Sequence, residues 1–103
     1  MSEPRPVKLT EAEIAAQLTT LSTWKIEKGK LHREYKFADF VAAFGFMTSA
    51  ALVAQQMDHH PEWFNVYNQV TVDLMTHDAK GITALDVKLA RSMEDLARRQ
   101  PMK

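Results

Sequence analysis

Three of the four histidines in this chain stand where secondary-structure elements are expected to end. His59 and His60 are adjacent and precede Pro61, and His77 closes a later apolar stretch. Imidazole has an unperturbed pKa of about 6.5, so it gains and loses a proton near neutrality. An imidazolium and a neutral imidazole on opposite sides of a small substrate can protonate a leaving group and remove a proton. These residues therefore indicate acid–base catalysis.

The residue types leave two other interpretations open. Three histidines and a carboxylate such as Asp58 could hold zinc, although no H-E-x-x-H spacing fixes two of them on one helix face. Alternatively, the histidines are loop residues without a chemical role. Because the chain has no thiol, no Gly-x-Ser-x-Gly elbow and no phosphate-binding loop, addition or elimination of water suits this set of side chains best.

The composition is that of one globular domain. With 103 residues, 46% of them hydrophobic, the chain can build a single core. We predict a flexible N-terminus at residues 1–8, without a signal peptide, and one domain at residues 9–103. Thirteen basic and thirteen acidic residues cancel, which argues against nucleic acid or a membrane surface as a partner. The absence of cysteine excludes disulfides and thiolate catalysis, and it fits a cytoplasmic protein.

Local patterns predict the element order α-β-β-α-β-β-α. Thr10 and Thr83 each precede a carboxylate by three residues and an apolar run, which is the capping-box pattern of a helix start. Alternating apolar residues around short turns predict hairpins at residues 24–37 and 63–76, the second with its turn at Asn68-Gln69. This order predicts an α+β fold, with a four-stranded antiparallel sheet and three helices packed on one face. His32 shares its strand face with charged residues and is predicted to be solvated.

The middle helix is predicted to follow the N-cap Asp39 and to end near Met57. Its eighteen residues carry no charge, a length at the lower limit for a membrane span of about 17 to 25 residues. Polar residues interrupt it, so a buried helix is the better interpretation. Because its apolar residues form stripes on two sides, we expect it to be covered on two sides. We therefore predict a homodimer or a homotetramer.

In the order of its motifs, the chain resembles the pterin-4a-carbinolamine dehydratases. The similarity covers roughly residues 24 to 90, and its spaced histidine motifs are quite specific. The family fold has three helices on an antiparallel four-stranded sheet, in agreement with the predicted element order. The matching segments are Ala43–Met47, Asp58-His59-His60-Pro61-Glu62-Trp63, Tyr67–Val70, Thr76-His77, Gly81-Ile82-Thr83 and Asp86.

The resemblance implies dehydration of 4a-hydroxytetrahydrobiopterin to quinonoid dihydropterin and water, which recycles the pterin of an aromatic amino-acid hydroxylase. No metal or organic cofactor is implied. By position, His59 and His77 would be the acid–base pair, and His60 would position the substrate. The residues implied in substrate binding are Trp24, Asp58, Pro61 and Asp86. Of these, Asp86 would either orient a histidine or contact the pterin ring.

Two features leave other functions open. Some relatives carry a glutamate three residues before the Asp-His-His motif, where this chain has Gln55. A pterin-binding module without turnover is therefore an alternative. Animal members of the family also act as dimerisation cofactors of a homeodomain transcription factor through a helical surface. The two-sided middle helix would allow a similar non-catalytic role.

Overall fold

The computed structural model describes residues 6–103, which form three α-helices, four β-strands and one short 3-10 helix. This order confirms the predicted α+β fold. Residues 1–5, within the predicted flexible segment 1–8, lie outside the described residues. In chain order the elements are α1 (Glu11–Leu18), β1 (Lys25–Glu27), β2 (Lys30–Lys36), α2 (Phe40–Met57), β3 (Glu62–Val66), β4 (Gln69–Leu74), the 3-10 helix His77–Ala79, and α3 (Ala84–Arg98).

The four strands form one antiparallel sheet in the order β1-β2-β4-β3. At its centre, Leu31 pairs with Leu74 and Tyr35 pairs with Val70. All four side chains are buried, because residues two apart in a strand point to the same face. The helices cover this face, with Ala43 and Phe46 of α2 and Leu89 and Met93 of α3 in the same core.

Side-chain caps fix the starts of all three α-helices in residues 6–103. Thr10 and Thr83 form the predicted capping boxes, in which the hydroxyl accepts a backbone N–H of the first turn and the carboxylate three residues on accepts the N–H of the cap. Asp39 accepts the N–H of Ala42 at 2.8 Å. The predicted starts are confirmed, because the capping pattern is a property of the local sequence.

Helix α2 is apolar on both sides but buried on only one. Ala43, Phe46 and Ala50 have no exposed surface, and the Phe46 ring lies 4.8 Å from that of Tyr35. The opposite side is exposed, with 53% of Phe44 and 67% of Leu52 open to solvent. With a mean hydropathy of 1.4, α2 is apolar and long enough to cross a membrane by length and composition, and 28% of it is buried. The predicted second cover is not supplied by residues 6–103.

His32 is buried, contrary to the prediction that it is solvated. Only 8% of it is exposed, and its Nδ1 and Nε2 each lie 2.8 Å from a carboxylate oxygen, of Asp73 and Glu34 respectively. Burial opposes protonation of the ring, but the hydrogen bonds to Glu34 and Asp73 outweigh it and raise the pKa of His32 above its ordinary value. The alternation predicts the correct face of the strand. It cannot show that Asp73 of β4 lies opposite.

Candidate active site

The two adjacent histidines after α2 differ in burial. Asp58 caps the helix in the left-handed conformation, with φ 51° and ψ 42°, which aspartate adopts more readily than most residues. Pro61 then favours an extended His60. His59 turns inward and is 8% exposed, whereas His60 lies at the surface. The neighbouring rings therefore have different protein partners.

His59 is held by a carboxylate from α3. Its Nε2 lies 2.5 Å from Oδ1 of Asp86, which has no exposed surface. The other oxygen of Asp86 accepts the hydroxyl of Thr76 at 2.9 Å and the backbone N–H of Thr83 at 2.8 Å. Because a carboxylate with these partners is an acceptor, the Nε2–H of His59 donates to it. In the neutral ring, Nδ1 is then the proton-accepting nitrogen.

His60 and His77 also direct Nε2 toward a side-chain oxygen. Nε2 of His60 lies 2.9 Å from Oε1 of Gln55. His77 begins the 3-10 helix, and its Nε2 lies 3.4 Å from Oε2 of Glu62. The side chain of His77 is 76% exposed. In all three rings Nε2 therefore faces a side-chain oxygen. The oxygen belongs to a buried carboxylate for His59, an exposed amide for His60 and a partly exposed carboxylate for His77.

The three histidines line one cleft of about 520 Å³. This volume is within the range of about 300 to 1,000 Å³ typical of small-molecule sites. Asp58 and Pro61 lie in its wall, so the structure brings five of the seven predicted site residues together. Within residues 6–103, no group of three or more histidine and carboxylate side chains is arranged to hold a metal ion. The further lining residues include Pro6, Glu62, Thr76 and Leu85.

Trp24 and Asp86, the other two predicted substrate-binding residues, do not line the cleft. Trp24 is 3% exposed, its indole N–H donates to Glu94 at 2.8 Å, and its ring meets Tyr35 edge-on at 6.3 Å. Glu94 is about two turns beyond Asp86 on α3, so the structure does not bring Trp24 to the histidines. Asp86 lies directly behind His59 with no surface of its own. Its placement favours the first of its two predicted roles, orientation of a histidine.

The polar groups that support the histidines are the part of the site that sequence reasoning misses. The Thr76 and Thr83 hydroxyls lie 2.7 Å apart, and both threonines bond Asp86. The available signal is the capping box of α3, in which Thr83 and Asp86 have a purely structural explanation. No local pattern indicates that the same carboxylate also reaches His59.

Comparison with known proteins agrees with the motifs of the cleft. The family model described as pterin 4 alpha carbinolamine dehydratase matches residues 7–96. A proposed pterin-4-alpha-carbinolamine dehydratase of Solibacter usitatus is 63% identical over 90 residues, which are 87% of this chain and 95% of that protein. A relative of the same name from Rhizobium johnstonii is 53% identical over 94 residues, or 89% and 93% of the two chains.

A solved structure resembles the whole domain. It is described as a transcriptional coactivator/pterin dehydratase from Brucella melitensis, and it superimposes with a TM-score of 0.84 at 50% identity. The similarity covers 87% of this chain and 98% of that one. At this identity and coverage the two chains share the fold described above.

Proposed function

The chain belongs to the pterin 4 alpha carbinolamine dehydratase family, and from this premise we propose that it dehydrates 4a-hydroxytetrahydrobiopterin to quinonoid dihydropterin and water. The observation that carries the proposal is the convergence of His59, His60 and His77 on one cleft. Elimination of water needs one group to donate a proton and another to accept one, and imidazoles do both near neutrality.

The proposed reaction breaks the bond between C4a and its hydroxyl oxygen. A protonated imidazole gives its proton to the oxygen, which leaves as water, while the N5 lone pair forms the C4a–N5 double bond. A neutral imidazole then removes the proton from N5. We assign these two steps to His77 and His59, and substrate positioning to His60. Since Asp86 accepts the Nε2–H of His59, Nδ1 is the nitrogen able to take a proton, which supports the base role for His59.

The test is turnover by the purified protein. We expect the protein to accelerate loss of the 4a-hydroxyl group, which can be monitored by absorbance. The His59→Ala, His77→Ala double variant should lose nearly all of this activity. Circular dichroism would establish that the variant folds. His32→Gln changes the histidine outside the cleft and is the matched control. A folded double variant with the full rate would refute the assignment, and loss of activity with a chelator that zinc restores would favour a metal site instead.

Self-association through the outer side of α2 is part of the proposal. That side bears an apolar groove of about 320 Å³, lined by Phe44, Met47, Thr48, Ala51, Leu52 and Trp63. Apolar patches of this kind mark interaction surfaces in soluble proteins. We propose that a second copy of the chain covers it in a homodimer or homotetramer. The proposed setting is the cytoplasm, with an aromatic amino-acid hydroxylase as the source of the substrate.

A second candidate function uses the same surface. The Brucella melitensis relative is described as a transcriptional coactivator as well as a dehydratase, and the exposed side of α2 would suit a regulatory protein as partner. In this alternative the chain is a non-catalytic dimerisation cofactor, or a pterin-binding module without turnover. Pterin binding without turnover, or a changed oligomeric state of a transcription factor, would favour it over the enzyme.

A further inference from the structure

A second carboxylate stands next to His77 much as Asp86 stands next to His59. Oε2 of Glu62 lies 3.4 Å from Nε2 of His77, and Oε1 of the same carboxylate lies 2.6 Å from Nζ of Lys30. We propose that Glu62, held by Lys30, is a positioning residue that turns the Nδ1 edge of His77 toward the substrate. This inference rests on the proposed role of His77. It gives a role to Glu62, which the motif contains but to which the resemblance assigns none, and it adds Lys30.

The backbone holds Glu62 in place at the edge of the cleft. It is the first residue of β3, directly after Pro61, and it pairs with Asp73 of β4. The Asp73 carboxylate is bonded to His32 at 2.8 Å. Lys30 bonds Glu62, and this hydrogen bond raises the pKa of Lys30 above its usual value, with a smaller contribution from the charge of Asp73. The pair leaves one oxygen of Glu62 for His77.

The Lys30–Glu62 pair adds little stability, so its proposed effect is to orient the ring of His77. The two side chains are 30% and 42% exposed, and solvent-exposed ion pairs contribute little to stability. The side chain of His77 is 76% exposed and that of its partner Glu62 is 42% exposed, whereas Asp86 beside His59 is fully buried. A ring this free can rotate away from the cleft, and an oriented acceptor for Nε2–H favours the productive rotamer. Catalytic hydrogen bonds that are long in a free enzyme often shorten once substrate is bound.

Kinetics of Glu62→Gln and Lys30→Met provide the first test. We expect Glu62→Gln to lower kcat roughly tenfold, the lower end of typical losses for groups that orient a functional histidine, with KM changed less than about twofold. Lys30→Met should lower kcat about threefold, since it removes only the group that directs Glu62. The double variant should be no slower than Glu62→Gln, because Lys30 acts through Glu62.

The matched control is another lysine–glutamate pair of the same sheet. Lys25 and Glu27 of β1 lie 3.3 Å apart, with side chains 64% and 43% exposed, and neither lines the cleft. Lys25→Met and Glu27→Gln should leave kcat and KM unchanged. A rise in KM at unchanged kcat in Glu62→Gln would make Glu62 a substrate-binding group and overturn the positioning role. Equal losses in the control pair would overturn it too.

A second readout does not require turnover. Long-range proton–nitrogen NMR of protein labelled with ¹⁵N in histidine reports which ring nitrogen of His77 carries the proton in the neutral form. We expect the Nε2–H tautomer in the wild type and an increase of roughly twofold in the Nδ1–H fraction in Glu62→Gln, in line with tautomer control by the partner of the other nitrogen. An unchanged tautomer would refute the contact. An inactive wild type with the expected tautomer shift would refute only the proposed function.

Discussion

Nε2 of His59 lies 2.5 Å from Oδ1 of Asp86, although the residues are 27 positions apart. The same carboxylate bonds Thr76 and Thr83. One buried group therefore joins the end of α2, the segment after β4 and the start of α3. The orientation of His59 and the packing of this corner depend on the same side chain.

Asp86→Asn is predicted to lower kcat by roughly 10² to 10⁴. An amide directed at Nε2 can donate as well as accept, so His59 loses the partner that fixes its tautomer. The free energy of unfolding should also fall by about 1 to 3 kcal/mol, because buried hydrogen bonds to Thr76 or Thr83 are weakened. Steady-state kinetics and urea denaturation measure both. Asp95→Asn, on the exposed side of the same helix, is the control, and a kcat equal to that of the control would contradict the prediction.

Gln55→Glu is predicted to raise kcat/KM by about two- to tenfold. A carboxylate 2.9 Å from Nε2 of His60 would form a charge-assisted hydrogen bond, roughly twice as strong as the neutral one to the amide. His60 would then be held more firmly against the substrate. The adjacent Gln56 is exposed and does not line the cleft, so Gln56→Glu adds the same charge and should have no effect. Equal changes in both variants would indicate long-range electrostatics instead of a contact with His60.

The stability of the protein is predicted to decrease as the pH rises above about 6.5 because of His32. Its pKa is raised in the folded state, so its contribution is complete below the unfolded value of about 6.5 and is lost as the pH rises through the folded value. His32→Gln should remove this pH-dependent loss of stability. Urea denaturation from pH 5 to 9 measures it, with exposed His77→Gln as the control. A pH dependence that survives in His32→Gln would assign it to other groups.

Substitutions of two phenylalanines of α2 are predicted to change different properties of the protein, its oligomeric state and its stability. Phe44 is 53% exposed and Phe46 is fully buried. Phe44→Glu should shift the oligomer toward monomers and leave the fold intact, because it places a charge in the proposed interface. Phe46→Ala should cost about 3 to 5 kcal/mol of stability through loss of buried contacts. Analytical ultracentrifugation and urea denaturation distinguish them. A Phe44→Glu protein that keeps the wild-type sedimentation would place the interface elsewhere.

The fold could be predicted from the sequence because its determinants are local. The caps at Thr10, Asp39 and Thr83 and the alternation of the strands depend on residues within a few positions of each other. The second hairpin shows the limit. Its turn lies at Tyr67-Asn68, one residue before the predicted Asn68-Gln69, because Tyr67 takes a left-handed φ of 51°. Residue type does not predict that conformation for tyrosine.

The site could be predicted only in part, because its supports come from distant segments. The motifs name His59, His60 and His77, and the structure places all three in one cleft. They do not show that Trp24 reaches Glu94 and not the cleft, nor that Lys30 meets Glu62 across the sheet. These contacts depend on strand order and helix packing, which are set by the whole chain.

The left-handed turn at Asp58 and the ring of Pro61 leave room for a fixed number of residues between them. Deleting one of these residues, or inserting another, would exchange the inward and outward rings, and Asp86 would then meet the wrong side chain. Substitutions in this loop can modify the site while both rings keep their positions, whereas a change in loop length would remove His59 from Asp86. Descendants of this chain should therefore vary freely in the hairpin turns but keep the count of residues here.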